Sequence, residues 1–72
     1  KTGANMTKIT TDFITLQQLL KVEDIVGSGG AAKYFIQEND ILVNGEVCKM
    51  RGKKLYPNDK IVIGRKEFTI EK

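Results

Sequence analysis

The apolar positions of the chain recur with two different periods, and each period predicts one kind of element. Between residues 15 and 38 they fall three or four positions apart, which is typical of short amphipathic helices. Thr15 is suited to cap a first helix. The apolar face of that helix comprises Leu16, Leu19 and Leu20.

A second helix is predicted over residues 29–38. Ser28 precedes it and is suited to cap it. Its apolar residues fall on one stripe, formed by Ala32, Phe35 and Ile36. Asn39 comes just past the end, where the backbone often turns left-handed and asparagine is tolerated.

Strands are predicted on both sides of the helices. Residues 7–14 are rich in β-branched and aromatic types and predict a first strand. Asn44-Gly45 is the residue pair favoured in two-residue hairpin turns. The other predicted strands are 41–43, 46–48, 60–63 and 67–70, the last of them at an edge of the sheet. A loop is predicted over 49–59, closed by the turn composition of residues 56–59.

This order of elements segregates two helices from the strands. It predicts an α+β fold in which two short helices pack on a small antiparallel sheet. The 72 residues are expected to form a single domain over residues 6–72. Residues 1–5 precede Met6 and lack periodicity, so we interpret them as an expression remnant outside the fold.

The charge of the chain is unevenly distributed. The chain has 12 basic and 9 acidic residues, net +3. Residues 49–72 hold eight basic and three acidic residues, net +5, whereas residues 21–48 hold two basic and five acidic ones, net −3. Such asymmetry indicates one basic face and a polyanionic partner.

The densest cluster of cations follows the predicted hairpin, at Lys49, Arg51, Lys53 and Lys54. A charge run is usually only a solvated face. Here the charges lie beside a stiff hairpin, which favours phosphate binding. Lys21 and Lys33, on the two predicted helices, can extend the patch.

The start of the second helix is a further candidate. Free backbone N–H groups at Ser28, Gly29 and Gly30 can bind an RNA phosphate, with Lys33 one turn further along. An ordinary helix cap, with glycines that allow close helix packing, explains the same residues. The sequence is consistent with both interpretations, phosphate binding and an ordinary helix cap.

Catalytic chemistry is poorly supported. The chain has no histidine and one cysteine, so Ser-His and Cys-His pairs, an internal disulfide and the usual zinc spacings are excluded. Cys48 is predicted to be a small packing residue. We therefore expect no enzyme activity, cofactor, metal or small-molecule substrate. No apolar run reaches the length of a membrane span, and a reducing, cytoplasmic compartment is expected.

Three motifs in order carry a family resemblance. They are Ser-Gly-Gly-Ala-Ala-Lys at 28–33, Val-Asn-Gly-Glu-Val at 43–47, and Arg-Gly-Lys-Lys-Leu at 51–55 followed by Pro-Asn-Asp at 57–59. Together they resemble the S-four type RNA-binding domain, also called the alpha-L motif, and its small stand-alone bacterial members in particular. The resemblance spans about residues 14–64.

The resemblance implies two helices on a small twisted antiparallel sheet, with RNA bound by the second helix, the hairpin and the loop after it. Some positions depart from the family pattern. Thr15-Leu16-Gln17 stands where many relatives have Arg-Leu-Asp, and Gly29 stands where many have Arg. Asn39 replaces a common glycine, which implies a left-handed conformation there.

The expected function is therefore non-enzymatic binding of structured RNA, ribosomal or transfer RNA, with ribosomal particles as a further possible partner. A protein-interaction or ribosome-assembly module that uses the same basic face is the alternative.

Overall fold

The computed structural model describes residues 4–72, and its strands form one five-stranded and one two-stranded sheet. The elements in chain order are β1 (Ala4–Lys8), β2 (Ile14–Thr15), α1 (Leu16–Val22), α2 (Gly29–Glu38), β3 (Ile41–Val43), β4 (Glu46–Cys48), β5 (Lys54–Leu55), β6 (Lys60–Ile63) and β7 (Lys66–Glu71). The large sheet has the order β1-β7-β6-β3-β4, and β2 pairs with β5 in the small one. The predicted α+β class is confirmed.

One strand pair departs from the predicted antiparallel sheet. Strand β1 runs parallel to β7, so the sheet is mixed, while β3, β4, β6 and β7 pair antiparallel. Strand β7 therefore lies between β1 and β6, and its prediction as an edge strand was wrong. Thr7 is buried in β1, and its hydroxyl donates to a carboxylate oxygen of Glu23 at 2.8 Å.

The N-terminal boundaries also differ from the prediction. The single strand expected at 7–14 is two strands, β1 and β2, separated by a bend after Ile9. Ala4 and Asn5, which the sequence pattern placed outside the fold, pair with Glu67 and Phe68 of β7. Residues 1–3 lie outside the described part of the chain, so the origin of the segment 1–5 stays a prediction.

Both helices begin where the caps were predicted. The Thr15 hydroxyl accepts the backbone N–H of Gln18, and the Gln18 side chain accepts that of Thr15, which closes a capping box on α1. The Ser28 hydroxyl accepts the N–H of Ala31 at the start of α2. The bonds to both caps satisfy helix N–H groups that would otherwise lack partners.

The end of α2 was predicted incorrectly. Asn39 is extended, with φ −128° and ψ 148°, and does not adopt the left-handed conformation. Its backbone N–H and its side-chain amide both donate to the carbonyl of Phe35, at 3.0 Å each. The Phe35 carbonyl therefore accepts two donors, and Asn39 ends the helix in an extended conformation. The positive φ values at non-glycine residues fall at Asp24, Asn44 and Asn58 among the described residues.

The core lies between the two helices and one face of the large sheet. Leu16, Leu19 and Leu20 from α1 are fully buried, as are Ala32 and Ile36 from α2. The strands contribute alternate residues: Ile41 and Val43, Ile61 and Ile63, and Phe68 and Ile70. Cys48 is half-buried and packs against this core, as predicted for a small packing residue.

The hairpin between β3 and β4 has the predicted geometry. Asn44 has φ 52° and Gly45 has φ 90°, so both turn residues have the positive φ of the primed hairpin turn. The Asn44 side chain is held by Asp59, whose Oδ1 accepts from its amide at 3.1 Å. The side-chain carbonyl oxygen of Asn44 accepts the backbone N–H of Lys60 at 2.9 Å. The hairpin tip is therefore bonded to the start of β6.

We predict that Gly45→Val lowers the stability of the domain. A Cβ at this position meets no atom within 4 Å, so the cost is conformational and not a clash. A β-branched residue in the left-handed region costs about 1–2 kcal/mol. For a domain of this size, each kcal/mol lowers the Tm by about 4–8 °C.

Thermal unfolding of Gly45→Val and of the control Gly52→Val measures this effect. Gly52 is also open to solvent but lies outside the positive-φ region, so its variant should melt near the parent. Equal Tm values for Gly45→Val and the parent would refute the assigned turn.

Candidate nucleic-acid interface

The cationic segment 49–54, here called the basic loop, is fixed by the first turn of α1. The N–H of Leu16 donates to the carbonyl of Lys53, and the N–H of Gln17 donates to the carbonyl of Arg51, both at 2.9 Å. Immediately after, β5 pairs with β2, with Leu55 opposite Ile14. The segment predicted as a plain loop over 49–59 is therefore anchored at several backbone positions. The backbone that carries its cations is thus fixed in place.

Lys49 has a structural role that the sequence pattern did not reveal. Its ammonium group donates to the carbonyls of Ile36, Gln37 and Asn39, at 3.2, 3.4 and 2.9 Å, and lies 3.3 Å from a carboxylate oxygen of Asp40. Carbonyls at a helix C-terminus lack helical partners and carry partial negative charge, so a cation there is favourable. Lys49 thus ties the basic loop to the end of α2.

Three of the predicted contact residues, Lys33, Lys49 and Arg51, line a groove between α2 and the basic loop. Lys33 and Gln37 line it from the helix, while Met50 and Arg51 line it from the loop. Lys33 and Gln37 are four positions apart and therefore share one face of α2. The fold therefore brings Lys33 and Arg51 to one surface, although they are distant in sequence.

The remaining predicted cations border other parts of the surface. Lys53 borders an adjoining depression, which Val47 of β4 and Met50 of the basic loop also line. Lys54 continues the loop into β5 and is exposed. Lys21 lies on α1 and lines a separate groove together with Lys8. The structure thus groups Lys33, Lys49, Arg51 and Lys53, and it leaves Lys21 apart.

Charge pairing separates Lys49 from its neighbours. Within residues 4–72, the ion pairs are Lys49–Asp40 and Lys72–Asp12. Arg51, Lys53 and Lys33 are exposed and have no acidic partner in that part of the chain. Their charge is therefore available to an external anion.

The start of α2 shows features of both interpretations. Ser28 acts as the helix cap, and a Cβ at Gly29 would lie 3.0 Å from the side-chain nitrogen of Gln17. Gly29 therefore leaves room for the end of the Gln17 side chain from α1, which agrees with the packing interpretation. Gly30 is exposed, and a Cβ there would meet nothing within 4 Å. Of the glycines predicted to contact phosphate, Gly30 is the more accessible.

Sequence reasoning missed an aromatic pair beside the basic loop. The ring centroids of Phe13 and Tyr56 are 5.7 Å apart with planes inclined by 47°, and the Lys54 ammonium lies 5.0 Å from the Phe13 centroid. Phe13 is half-buried, and Tyr56 is exposed. No local pattern indicates this pair, because it depends on the pairing of β2 with β5.

The described residues support neither a metal site nor a membrane-spanning helix. Over residues 4–72, no group of three or more cysteine, aspartate or glutamate residues is placed to hold a metal ion. The helices in that range are too short to cross a membrane.

A family model for the S4 domain matches residues 7–71. The chain belongs to the S4 domain family. This confirms the resemblance to the S-four type. A relative from Bacillus subtilis (strain 168), "Probable ribosome maturation protein RlbA", is 48% identical over 60 residues, which cover 83% of this chain and 84% of the relative.

In this S4 domain we predict that Lys49→Met lowers stability, because the carbonyls at the end of α2 lose a cation. A charge at a helix C-terminus contributes about 0.3–1 kcal/mol when exposed. Lys53→Met is the matched control, since Lys53 is exposed and lacks an ion-pair partner within residues 4–72.

Urea unfolding of both variants measures the difference. The control should remain within about 0.5 kcal/mol of the parent. If Lys49→Met were as stable as Lys53→Met, Lys49 would have no capping role.

Proposed function

We propose that this S4 domain binds structured RNA and performs no catalysis. The observation that carries the proposal is the groove in which Lys33 of α2 faces Arg51 of the basic loop. Both side chains are exposed, and neither has an acidic partner within the described residues. Membership of a family of RNA-binding domains supports the same conclusion.

Phosphates of folded RNA are the proposed ligands of this surface. Arg51, Lys53 and Lys54 are the principal contacts, joined by Lys33 and by the N–H groups of Gly29 and Gly30. Ser28 positions those N–H groups as the helix cap, and Lys49 adds charge while it holds the loop. Lys21 lies in a separate groove and is a peripheral contact. The fixed loop reduces the entropy lost on binding, because its cations need little reordering.

Non-enzymatic action is part of the proposal. The chain contains no histidine. The groove between α2 and the basic loop is lined by lysine, arginine, amide and apolar side chains. Cys48 and Glu46 line the adjoining depression, but the Cys48 thiol donates to the carbonyl of Met50 and not to a carboxylate, so they form no nucleophile and base pair. The basic surface is suited to binding charge and not to proton transfer.

Ribosomal RNA is the proposed target class, with transfer RNA as the alternative. The relative's name contains "ribosome maturation", and that relative matches most of this chain. We propose a cytoplasmic role in which the domain binds ribosomal RNA within assembling particles. A module that docks acidic proteins through the same face would instead form salt-sensitive complexes with proteins and none with RNA.

Affinity for RNA should fall steeply with salt. With four to six cations contacting phosphates, log K should decrease against log salt with a slope of roughly −3 to −5. Titration of a stem-loop RNA at several salt concentrations measures the slope. A binding constant that stays unchanged from low to moderate salt would contradict phosphate contacts.

Removal of the basic-loop charges should weaken RNA binding without unfolding the domain. The triple variant Arg51→Ala, Lys53→Ala, Lys54→Ala removes three exposed cations and retains Lys49, the one that caps α2. Three lost contacts should lower the salt slope by about 2–3. The affinity should fall for many sequences alike, since phosphate contacts do not read bases.

A charge-matched control distinguishes position from net charge. Lys8→Ala, Arg65→Ala, Lys66→Ala also removes three exposed cations, from β1, from the turn between β6 and β7, and from the first residue of β7. This control should bind more tightly than the basic-loop variant. The parent should also prefer a stem-loop to an unstructured strand of equal length. Equal losses in both triple variants would reject the basic loop as the site.

A further inference from the structure

Two aromatic rings and a lysine form a partly exposed cluster at one end of the basic loop. Phe13 precedes β2, while Lys54 and Tyr56 belong to β5 and the residue after it. The Phe13 and Tyr56 rings are in contact, with centroids 5.7 Å apart. Tyr56 is 48% exposed although it lies against another ring. A tyrosine that only filled the core would bury most of its ring area.

The backbone around these side chains is firmly held. The Thr11 hydroxyl donates to the carbonyl of Phe13 at 2.7 Å. Asp59 Oδ2 accepts the backbone N–H of Tyr56 at 2.8 Å. Beneath them, Ile14 and Leu55 are paired and buried. The cluster is therefore organised before any ligand binds, which lowers the entropy cost of binding.

We propose that Phe13, Lys54 and Tyr56 form a ledge on which one unpaired nucleobase of the bound RNA stacks. The base stacks on the outer side of Tyr56, because the two rings touch and leave no space between them. Phe13 supports the Tyr56 ring from behind. Lys54, already placed against the Phe13 ring, supplies a cation beside the stacked base.

The ledge is continuous with the proposed phosphate surface. Lys54 belongs both to the basic loop and to the ledge, and Lys53 precedes it directly. An RNA backbone that lies along Arg51 and Lys53 therefore passes within reach of Tyr56. Proteins read unpaired RNA bases by stacking them on aromatic side chains. This inference rests on the proposed RNA-binding function and adds a base contact to it.

The test compares stem-loop RNAs that differ by one nucleotide. One set carries a single unpaired adenosine, moved one step at a time along the stem, and the reference stem is fully paired. The parent should bind at least one member of the set about fivefold or more tighter than the reference, the lower bound for one stacked base. Absence of any such preference overturns the ledge.

Variants of Tyr56 assign the preference to the ring. Tyr56→Leu should abolish it and leave affinity for the paired stem within about twofold of the parent, whereas Tyr56→Phe should retain it. Tyr34 is the matched control, since it is 68% exposed on α2 and lies outside the aromatic pair. Tyr34→Leu should keep the preference. Equal loss for bulged and paired RNA in Tyr56→Leu, or loss of the preference in Tyr34→Leu, overturns the assignment.

Tyrosine fluorescence gives a readout that does not depend on the stability of Tyr56→Leu. The chain has two tyrosines and no tryptophan, so Tyr34→Phe leaves Tyr56 as the sole emitter. Its emission should be quenched more by the preferred bulged RNA than by the paired stem. Equal quenching by both RNAs overturns the ledge. Failure of the parent to bind either RNA would reject the proposed function itself, a separate outcome from loss of bulge preference.

Discussion

The first turn of α1 holds the proposed interface in place. The leading N–H groups of any helix lack partners within the helix. Here two of them, at Leu16 and Gln17, bind carbonyls of Lys53 and Arg51, while the Thr15 side chain satisfies the third, at Gln18. The positive end of the helix is therefore occupied by backbone from the basic loop. The side chains of Arg51 and Lys53 are exposed, and the helix turn that fixes their backbone is itself held by the buried leucines of α1.

Local chemistry made much of this fold predictable. The caps at Thr15 and Ser28 and the turn at Asn44-Gly45 depend on residues within a few positions of each other, and all three are confirmed. The elements that were missed depend on distant partners. Strand β1 exists through its pairing with β7, and the two residues of β5 exist through β2. No window of neighbouring residues contains that information.

In the candidate site too, features set by neighbouring residues were predictable, and features set by distant residues were not. Charge counting found the cations, because composition is visible along the chain. Their division of roles was not visible. Lys49 and Lys53 are alike in sequence, but only the first reaches the carbonyls at the end of α2. Asn39 was assigned a left-handed conformation by analogy with glycine, yet it is extended. The carbonyls of Ile36 and Gln37, which a left-handed cap would bond, are bound by Lys49 instead.

Asp59 links parts of the surface that would otherwise move independently. One carboxylate oxygen accepts from the Asn44 side chain at the hairpin tip, and the other accepts from the Tyr56 backbone. Its own backbone is bonded to Tyr56 and to Ile70 of β7. The hairpin tip, the residue that follows β5 and strand β7 are therefore all bonded to one residue, the first two through its side chain and the last through its backbone.

The parallel pairing of β1 with β7 has a consequence for how the domain is made. Ala4 lies opposite Glu67 and Lys8 lies opposite Glu71, so nearly the whole described chain separates the partners. During synthesis, β1 emerges first and has no sheet neighbour until the last strand has left the ribosome. Such distant contacts form late and slow the folding of a small domain. The helices and the β3–β4 hairpin can assemble earlier, and the sheet is completed only after translation of β7.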